Sequence, residues 1–385
     1  MLEPENKRVS GVMMNKINMA DPHFNTQDRE RIHREIDNIL DNALSMGPNV
    51  KAFENEFSSR LKVKHAIAMN SCTSTLEAAL LAYNVVDSEV IIPSETFIAT
   101  GMAVHLTGGL PVFAEISDKT LCLDIKDVTR RITSKTKGII LVHMAGLITP
   151  DIMEFRELCD KRGLFLIEDA AHAPGAQLNR KEAGTFGHIG CFSFFPTKVI
   201  TSGEGGMLVT DDDEIAAFAR SFQNRGLDLS SGRETYLIPG RNVRMTEMAA
   251  LLGRVQLERL DEFLDRRREI AAIYIQELSG VNTLQLIVPE ELKSSTFWKI
   301  PILLDQSISR PLVIEFLTQN NIAIDLAYDP SLHLQPVFRN LYGSSEGQLP
   351  FTEDYLSRNI CLPCHPRLSN SNVLFVCKKL KEILK

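Results

Sequence analysis

The sequence predicts an α/β fold, in which a mostly parallel central sheet flanked by helices forms a large domain and a smaller α+β domain follows. Between about residues 65 and 210, short apolar runs lack the polar alternation of half-exposed strands, which is typical of strands buried on both faces. Helical stretches separate these runs, and this alternation favours parallel strands joined by helices. From about residue 280 onward, short strands mix with helices, which indicates a second, smaller lobe.

Composition supports a folded protein of enzyme size. The chain has 385 residues, of which 44% are hydrophobic, so it can bury a large core and is not a disordered protein. Its formal net charge of −7 lacks the basic field that nucleic acid binding requires. The sequence has no apolar run of membrane-spanning length and no secretory signal in residues 1–20, so we expect a cytoplasmic protein. The seven cysteines are an odd number, and we expect buried thiols rather than disulfides.

The first half of the chain supplies an arm, a helix and the strands of the sheet. Residues 1–20 show no clear period and are predicted to form an N-terminal arm. Apolar residues at three- and four-residue spacing predict a helix over 32–44. A further helix over 150–162 ends at Gly163, a suitable C-cap. Seven apolar runs predict the strands, over residues 65–69, 90–93, 110–116, 138–142, 164–167, 191–195 and 207–210.

A long helix is expected to link the two domains. Thr246 is a suitable N-cap for a periodic segment that continues to Arg266 and predicts one helix leaving the large domain. A short strand within 297–304, a helix over 311–319 and a terminal helix follow. We therefore expect an arm at 1–20, a large domain at 21–250, and a small domain at 251–385 that includes the linking helix.

Polar segments follow several of the predicted strands. Ligands of open parallel sheets bind beyond the carboxyl ends of the strands, so these segments are candidates for the functional site. They lie at residues 70–74, 94–97, 143, 168–172 and 193–206.

An acidic pair ends the strand over 164–167. Glu168 and Asp169 follow each other directly, so strand alternation places them on opposite faces. One acid can then face a ligand while the other has a structural role. Taken alone, the pair is explained equally well as a cap of the following helix.

One lysine lies between an aromatic run and a glycine-rich loop. Lys198 ends the segment FSFFPTK, and SGEGG follows at 202–206. Aromatic surroundings desolvate an amine and favour its neutral, nucleophilic form, which a Schiff base with an aldehyde cofactor requires. Taken alone, however, a loop lysine is more often a solvated charge.

A cluster of hydroxyl side chains opens a predicted helix at residue 70. The segment NSCTSTLEAAL follows a strand, and free amides at a helix N-terminus form an anion site suited to phosphate. Serine and threonine are also ordinary N-caps, and a lone cluster favours that explanation. Cys72 has no histidine nearby in the sequence, so we expect a small residue in a turn rather than a nucleophile.

Together these segments meet the needs of pyridoxal 5′-phosphate, namely a phosphate site, a carboxylate at the ring nitrogen and a lysine. Over residues 20–370 the chain resembles the DegT/StrS family of sugar aminotransferases, which have the aspartate-aminotransferase-like fold (fold type I) of pyridoxal-phosphate-dependent transferases. The resemblance rests on NSCTS at 70–74, PSETFIAT at 93–100, IEDAAHAPGA at 167–176, FSFFPTK at 192–198, SGEGG at 202–206, and GRNVRMTEMAALLGRVQL at 240–257.

The resemblance implies a role for several residues at the cofactor. Lys198 would bind it as an imine and move the proton, and Asp169 would pair with the pyridine nitrogen. Phe97 would stack on the ring, and His172 would lie near the ring hydroxyl. The phosphate ligands would be Thr73, Ser74 and Ser193, with the backbone at Cys72.

The resemblance also implies a homodimer with shared active sites. Asn242 matches a residue that relatives contribute to the phosphate site of the neighbouring subunit. Arg241 stands where relatives often carry tyrosine, so it either lines the cross-subunit loop or meets a substrate anion. His333, in the segment SLHLQPVF, matches a small-domain loop that approaches the substrate.

The predicted function is therefore transfer of an amino group from L-glutamate to a keto sugar, most often a nucleotide-linked deoxysugar. A sugar dehydratase of the same family is the first alternative, but such relatives lack the lysine that Lys198 provides. A non-catalytic regulatory protein is the second, although no DNA-binding domain is evident. No metal site is predicted. The segment CLPCH at 361–365 has the spacing of a haem attachment site, but the sequence lacks the export signal that such a site requires. The acidic run at 211–214 lacks the ligand spacing of a calcium loop and is better explained as a helix cap.

Overall fold

In the computed structural model, which describes residues 16–228 and 233–385, a seven-stranded sheet forms the large lobe and a three-stranded sheet the small lobe. The large sheet has the strand order β1-β9-β8-β5-β4-β2-β3, and a short hairpin, β6 and β7, lies beside it. The strands of this lobe are β1 His65–Met69, β2 Glu89–Pro93, β3 Leu110–Ala114, β4 Thr136–Val142, β5 Phe165–Asp169, β6 Gln177–Leu178, β7 Lys181–Glu182, β8 Ile189–Ser193 and β9 Gly206–Thr210.

The predicted mostly parallel sheet is confirmed. Strand β9 runs antiparallel to both β1 and β8, whereas the pairs β2/β3, β2/β4, β4/β5 and β5/β8 are parallel. The carboxyl ends of these parallel strands therefore meet at one edge of the sheet, where β9 also begins. This edge is where polar residues after the strands come together.

Successive strand residues pack into different cores on the two faces of the sheet. Ile139 and Leu141 enter the cluster that contains Phe53, whereas Ile140 enters the cluster on the other face, with Leu208. Because both faces are covered, these strands show no polar alternation in the sequence. The helices that cover them are α1 Thr26–Leu40, α2 Pro48–Leu61, α3 Cys72–Ala82, α4 Ile98–Leu106, α5 Ile125–Arg131, α6 Ile152–Arg162, α7 Asp213–Gln223 and α8 Glu247–Glu258.

Helix ends follow the signals in the sequence. Helix α6 stops at Gly163, whose φ of 66° is the left-handed conformation that glycine adopts without strain. The acidic run at 211–214 caps α7, because the side chain of Asp212 accepts hydrogen bonds from the amides of Glu214 and Ile215. Thr246 caps α8 by accepting a hydrogen bond from the amide of Ala249.

The prediction of one linking helix from Thr246 is wrong. Helix α8 ends at Glu258 and α9 begins at Leu260, with Arg259 between them outside the helical conformation (φ −102°, ψ 6°). The guanidinium of Arg259 is bound by the carboxylate of Asp28 at 2.6 Å. Helix α8 packs on α2, whereas α9 (Leu260–Leu278) packs on α13 (Asn370–Ile383) of the small lobe. The boundary expected at residue 250 stays a prediction.

The small lobe surrounds an antiparallel sheet in which β11 pairs with β10 and β12. Its elements are α9 Leu260–Leu278, β10 Leu284–Leu286, β11 Ile300–Leu304, α10 Arg310–Gln319, α11 Pro336–Tyr342, α12 Pro350–Arg358, β12 Asn359–Leu362 and α13 Asn370–Ile383. Residues 1–15 of the predicted arm lie outside the described residues. Ile17 of the arm is buried against this lobe, and its amide donates a hydrogen bond to the carbonyl of Asn321 at 2.8 Å. In the described ranges, the structure contains no helix with the length and apolarity needed to span a membrane.

Candidate active site

A cavity of about 390 Å³ opens at the carboxyl edge of the large sheet, with walls from both lobes. It brings together segments that are far apart in the sequence, as the topology requires. The expected site residues that line it are Cys72, Thr73, Phe97, Asp169, His172, Ser193 and Lys198.

Lys198 follows β8 and reaches into this cavity from a loop. Burial lowers the pKa of its ammonium group to about 8, while the nearby carboxylate of Asp169 acts in the opposite direction. The ammonium nitrogen lies 4.3 Å from the centroid of the Trp298 indole ring. About a tenth of this amine is therefore neutral at pH 7, and this neutral fraction can act as a nucleophile.

Asp169 ends β5 and presents its carboxylate to the same cavity. One carboxylate oxygen accepts a hydrogen bond from the hydroxyl of Thr100 at 2.9 Å, and the other from the amide of Ala171 at 3.2 Å. Burial raises the pKa of the carboxyl group, and the Thr100 hydrogen bond opposes that rise. These bonds fix the orientation of the carboxylate, which has no further hydrogen-bond partner among the described residues.

Glu168, the adjacent acid, has a structural role away from the cavity. One carboxylate oxygen lies 2.7 Å from Nε2 of His143 and also accepts the amide of Gly184 at 2.7 Å. The other accepts the amide of Gly187 at 2.5 Å. Asp169 therefore faces the cavity and Glu168 binds structural partners on the other side, as alternation along the strand predicts.

The turn at the amino end of α3 is the expected anion turn, and its anion-binding role stays a prediction. The hydroxyl of Ser71 caps the helix by accepting a hydrogen bond from the amide of Ser74 at 3.2 Å. Cys72 and Thr73 line the cavity. Gly206 of β9 passes close to this turn, because a Cβ there would lie only 2.4 Å from the carbonyl carbon of Ser71. Burial raises the pKa of the Cys72 thiol well above its usual value, so the thiol stays protonated and is not a nucleophile.

Ser74 is placed differently from the expectation. Its hydroxyl donates to Oδ1 of Asn70 at 2.7 Å and lies 3.1 Å from the hydroxyl of Ser71, and its side chain does not line the cavity. It supports the turn rather than facing into it, whereas Ser193 at the end of β8 does face the cavity.

His172 is enclosed between aromatic rings. It stacks on Trp298 with a centroid separation of 3.8 Å, and its Nε2 lies 3.1 Å from the hydroxyl of Tyr328. Burial lowers the pKa of the ring well below its usual value, so the imidazole is neutral. Its Nδ1 is buried and has no hydrogen-bond partner among the described residues, which leaves a polar atom for a ligand. Phe97, half exposed, lies 5.7 Å from the ring of Tyr328.

The small lobe supplies a wall that sequence reasoning missed. Trp298, Lys299, Asp325 and Tyr328 all line the cavity. They precede a small-lobe strand or lie in a loop, whereas the sequence search followed only the carboxyl ends of the large-lobe strands. The signal available was the single tryptophan of the sequence, followed directly by a lysine.

Arg241, Asn242 and His333 do not line the cavity of this subunit. The guanidinium of Arg241 pairs with Glu77 at 3.1 Å, and Asn242 forms a backbone bridge with Asn224. His333 is fully buried, with ring nitrogens 2.6 Å from the hydroxyl of Ser94 and 3.0 Å from Glu353. The expectation that His333 contacts substrate is therefore corrected: its ring joins the large lobe to α12.

In the described ranges no group of three or more His, Cys, Asp or Glu side chains is placed to hold a metal ion. Cys361 and Cys364 are free, buried thiols. Chemically, the cavity instead offers an amine of lowered pKa, a fixed carboxylate and an anion turn within one enclosed space.

Comparison with known proteins extends across both lobes. The model of the DegT/DnrJ/EryC1/StrS aminotransferase family matches residues 26–381. The chain is 36% identical over 371 residues to a GDP-perosamine synthase of Vibrio cholerae, covering 95% of this chain and 98% of that relative. It is 34% identical over 361 residues to a UDP-N-acetyl-3-dehydro-alpha-D-glucosamine 3-aminotransferase of Acidithiobacillus ferrooxidans, covering 92% and 94%.

A solved structure shows the same architecture. The chain superimposes with a TM-score of 0.89 on Helicobacter pylori PseC, an aminotransferase involved in the biosynthesis of pseudoaminic acid. The two sequences are 26% identical, and the match covers 96% of this chain and 99% of the other. The predicted fold class is thereby confirmed.

Proposed function

Because the chain belongs to the DegT/DnrJ/EryC1/StrS aminotransferase family, we propose that it uses pyridoxal phosphate to transfer an amino group from L-glutamate to a nucleotide-linked keto sugar. In this reaction the keto carbon of the sugar gains the amino group, and glutamate leaves as 2-oxoglutarate. The observation that carries the proposal is the convergence of Lys198, Asp169 and the α3 anion turn on one cavity. The relatives named above supply the substrate class.

The residues present fit pyridoxal phosphate. Lys198 is the attachment point for its aldehyde, and the turn at Cys72 and Thr73, with Ser193, suits its phosphate. Asp169 provides a fixed acceptor for the protonated ring nitrogen. The buried, unpartnered Nδ1 of His172 gives a polar substituent of the ring a partner. Bound pyridoxal phosphate supplies an electron sink for the carbon that exchanges its proton.

The remaining chemistry belongs to the side chains. The Nζ atom of Lys198, with a pKa of about 8, can take a proton from the reacting carbon and return it. The carboxylate of Asp169 holds positive charge beside it, and the Thr100 hydroxyl fixes that carboxylate. Walls from both lobes surround the cavity in which Lys198 would move this proton.

A homodimer forms part of the same proposal. Large apolar side chains are exposed near the cavity mouth, including Phe97 and Phe195, and further apolar side chains are exposed at Leu44, Met46 and Leu237. Clusters of exposed apolar groups favour a protein interface. Arg241 and Asn242 lie outside the cavity of their own subunit, which fits a contribution to the neighbouring site.

The test is Lys198→Ala, with Lys161→Ala on the exposed face of α6 as the matched control. We expect Lys198→Ala to lose turnover and the visible absorption of the bound cofactor, and the control to keep both. Retention of both by Lys198→Ala would exclude the assignment. Addition of L-glutamate should convert the bound aldehyde form to the amine form, whereas a binding protein without turnover would leave the spectrum unchanged.

The acceptor can be identified in the second half-reaction. Glutamate first converts the enzyme to the amine form, and each keto sugar that then restores the aldehyde absorption is an acceptor. GDP- and UDP-linked keto sugars are the first to screen, because the relatives named above act on sugars carried by these nucleotides.

A further inference from the structure

A second ammonium group lies in the cavity wall close to Lys198. Lys299 is largely buried, and its ammonium pairs with the carboxylate of Asp325 at 2.7 Å. Among the described residues this carboxylate is its one hydrogen-bond partner, although an ammonium has three donors. The ammonium nitrogen also lies over two aromatic rings, 4.0 Å from the centroid of Trp298 and 5.6 Å from that of Tyr328.

Lys299 is also close to the reacting amine. The ammonium nitrogens of Lys198 and Lys299 both lie within 4.3 Å of the centroid of the same indole ring. Among the described residues of this subunit, no other lysine or arginine lines the cavity. Its acids are Asp169, Glu204 and Asp325. An anion entering next to Lys198 therefore finds its counter-ion at Lys299.

The two substrates differ in the need for such a counter-ion. An α-amino acid carries a carboxylate on the same carbon as the amino group that it gives up, so this carboxylate must enter beside Lys198. Burying an unpaired carboxylate is costly, and a buried cation offsets that cost. The keto carbon of the sugar acceptor bears no carboxylate, so it makes no such demand.

We propose that Lys299 binds the α-carboxylate of the amino donor and that Asp325 holds the ammonium in place when the donor is absent. The inference rests on the proposed function. The side chain of Asp325 is 39% exposed and that of Lys299 is 11% exposed. Asp325 is thus the more exposed partner, and its other carboxylate oxygen accepts a hydrogen bond from the amide of Ala327 at 3.1 Å. A donor carboxylate can therefore compete with it for the ammonium of Lys299.

The experiment uses 2-methyl-L-glutamate and the protein carrying its cofactor. This analogue has the amine and the α-carboxylate of the donor but no hydrogen on the α-carbon, so it binds without turnover. Its dissociation constant is measured from the change in the visible spectrum. Lys299→Met removes the charge at similar length, and we expect the dissociation constant to rise about tenfold or more. Lys299→Arg keeps the charge and should recover most of the affinity.

Asp325→Asn is the second variant, because it removes the competing carboxylate and leaves the cation. We expect it to lower the dissociation constant of the analogue, and weaker binding by this variant would overturn the proposal. Arg241→Met tests the competing cation that the resemblance places across the subunit boundary. If Arg241→Met weakens the analogue and Lys299→Met does not, the proposal is wrong.

The visible band of the bound cofactor separates this inference from the function on which it depends. If Lys299→Met keeps the band and binds the analogue as tightly as the unmodified protein, only the inference is overturned. If the unmodified protein forms no band, the proposed function fails, and the inference fails with it. Steady-state kinetics adds a further readout, because the two substrates react in separate half-reactions: Lys299→Met should lower kcat/KM for glutamate and leave kcat/KM for the sugar unchanged.

Discussion

The ammonium nitrogen of Lys198 lies 4.3 Å from the centroid of the Trp298 indole ring, so the large and small lobes meet at the reacting amine. The indole is fixed on several sides. Its Nε1 donates a hydrogen bond to the carbonyl of Thr197 at 2.6 Å, and its face stacks on His172. The small lobe therefore forms one wall of the site and does more than cover it.

Trp298 should report cofactor binding. It is the single tryptophan of the sequence, so the tryptophan emission of the protein comes from the cavity wall. We expect pyridoxal phosphate added to the apoprotein to quench most of this emission, because Lys198, which would hold the chromophore, lies against the indole, and the chromophore absorbs at the emission wavelengths of tryptophan. A fluorescence titration followed together with visible absorption measures this, with Trp298→Phe as the blank. Appearance of the visible band with unchanged emission would contradict the geometry.

Lys198 should titrate near pH 8 in the apoprotein. Burial lowers its pKa to about 8 from the usual value of 10.5, so the amine is mostly protonated below pH 8 and mostly neutral above it. Reaction with trinitrobenzenesulfonate should show one fast-reacting lysine with a midpoint near pH 8. Lys198→Ala should lack this phase. Reaction of every lysine with a midpoint near that of a solvated amine would contradict the burial of Lys198.

Thr100→Val should weaken catalysis without disturbing the fold. The variant removes the hydroxyl that donates to Asp169 at 2.9 Å, and loss of a hydrogen bond to a charged group costs about 1.5–3 kcal/mol. We expect kcat/KM to fall about 10- to 100-fold. Thr129→Val is the control, because that hydroxyl bonds only a helix carbonyl on the exposed face of α5. Equal activity of the two variants would show that the Thr100 hydrogen bond to Asp169 does not contribute to catalysis.

Gly206→Ala should damage the anion turn. An added Cβ would lie 2.4 Å from the backbone of Ser71, so β9 and the turn must move apart. We expect a loss of about 1–3 kcal/mol in the free energy of unfolding and weaker retention of the cofactor. Gly280→Ala is matched to it, since a Cβ there meets nothing within 4 Å. Urea denaturation and dialysis against buffer measure the two effects, and cofactor retention equal to that of the control would argue against the turn as the phosphate site.

Glu168→Gln should act on stability. The carboxylate accepts the amides of Gly184 and Gly187 and pairs with His143 in a buried site, and an amide leaves part of this set without an acceptor. The free energy of unfolding should fall by about 3 kcal/mol. Glu157→Gln on the exposed face of α6 should change it little. A similar effect of both substitutions in chemical denaturation would show that the buried site relaxes at little cost.

Much of the large lobe could be predicted because its physical signals are local. Strand residues such as Ile139, Ile140 and Leu141 are buried on both faces, so each strand reads as an unbroken apolar run. The positions of Asp169 and Lys198 followed from the rule that ligands bind at the carboxyl ends of parallel strands. Their convergence in one cavity agrees with that rule.

What could not be predicted depends on tertiary contacts. The break at Arg259 has no local signal, because arginine is a good helix former and the apolar period continues through it; Asp28 binds its guanidinium from another helix. Ser74 lies in the right segment, yet its hydroxyl is taken by Asn70. The pairing of Lys299 with Asp325 joins positions 26 residues apart, so the local hydrophobic pattern of the sequence could not predict it.

The division of the cavity wall between the lobes has a consequence for how such an enzyme changes. The residues that suit the cofactor all come from the large lobe, whereas Trp298, Lys299, Asp325 and Tyr328 come from the small lobe. With Lys299 as the proposed donor site, substitutions at Lys299 and Asp325 should change the choice of donor while the anion turn and Asp169 are left intact. Trp298 and Tyr328 contact His172, so substitutions there should also affect retention of the cofactor. A library aimed at donor choice is therefore best confined to Lys299 and Asp325.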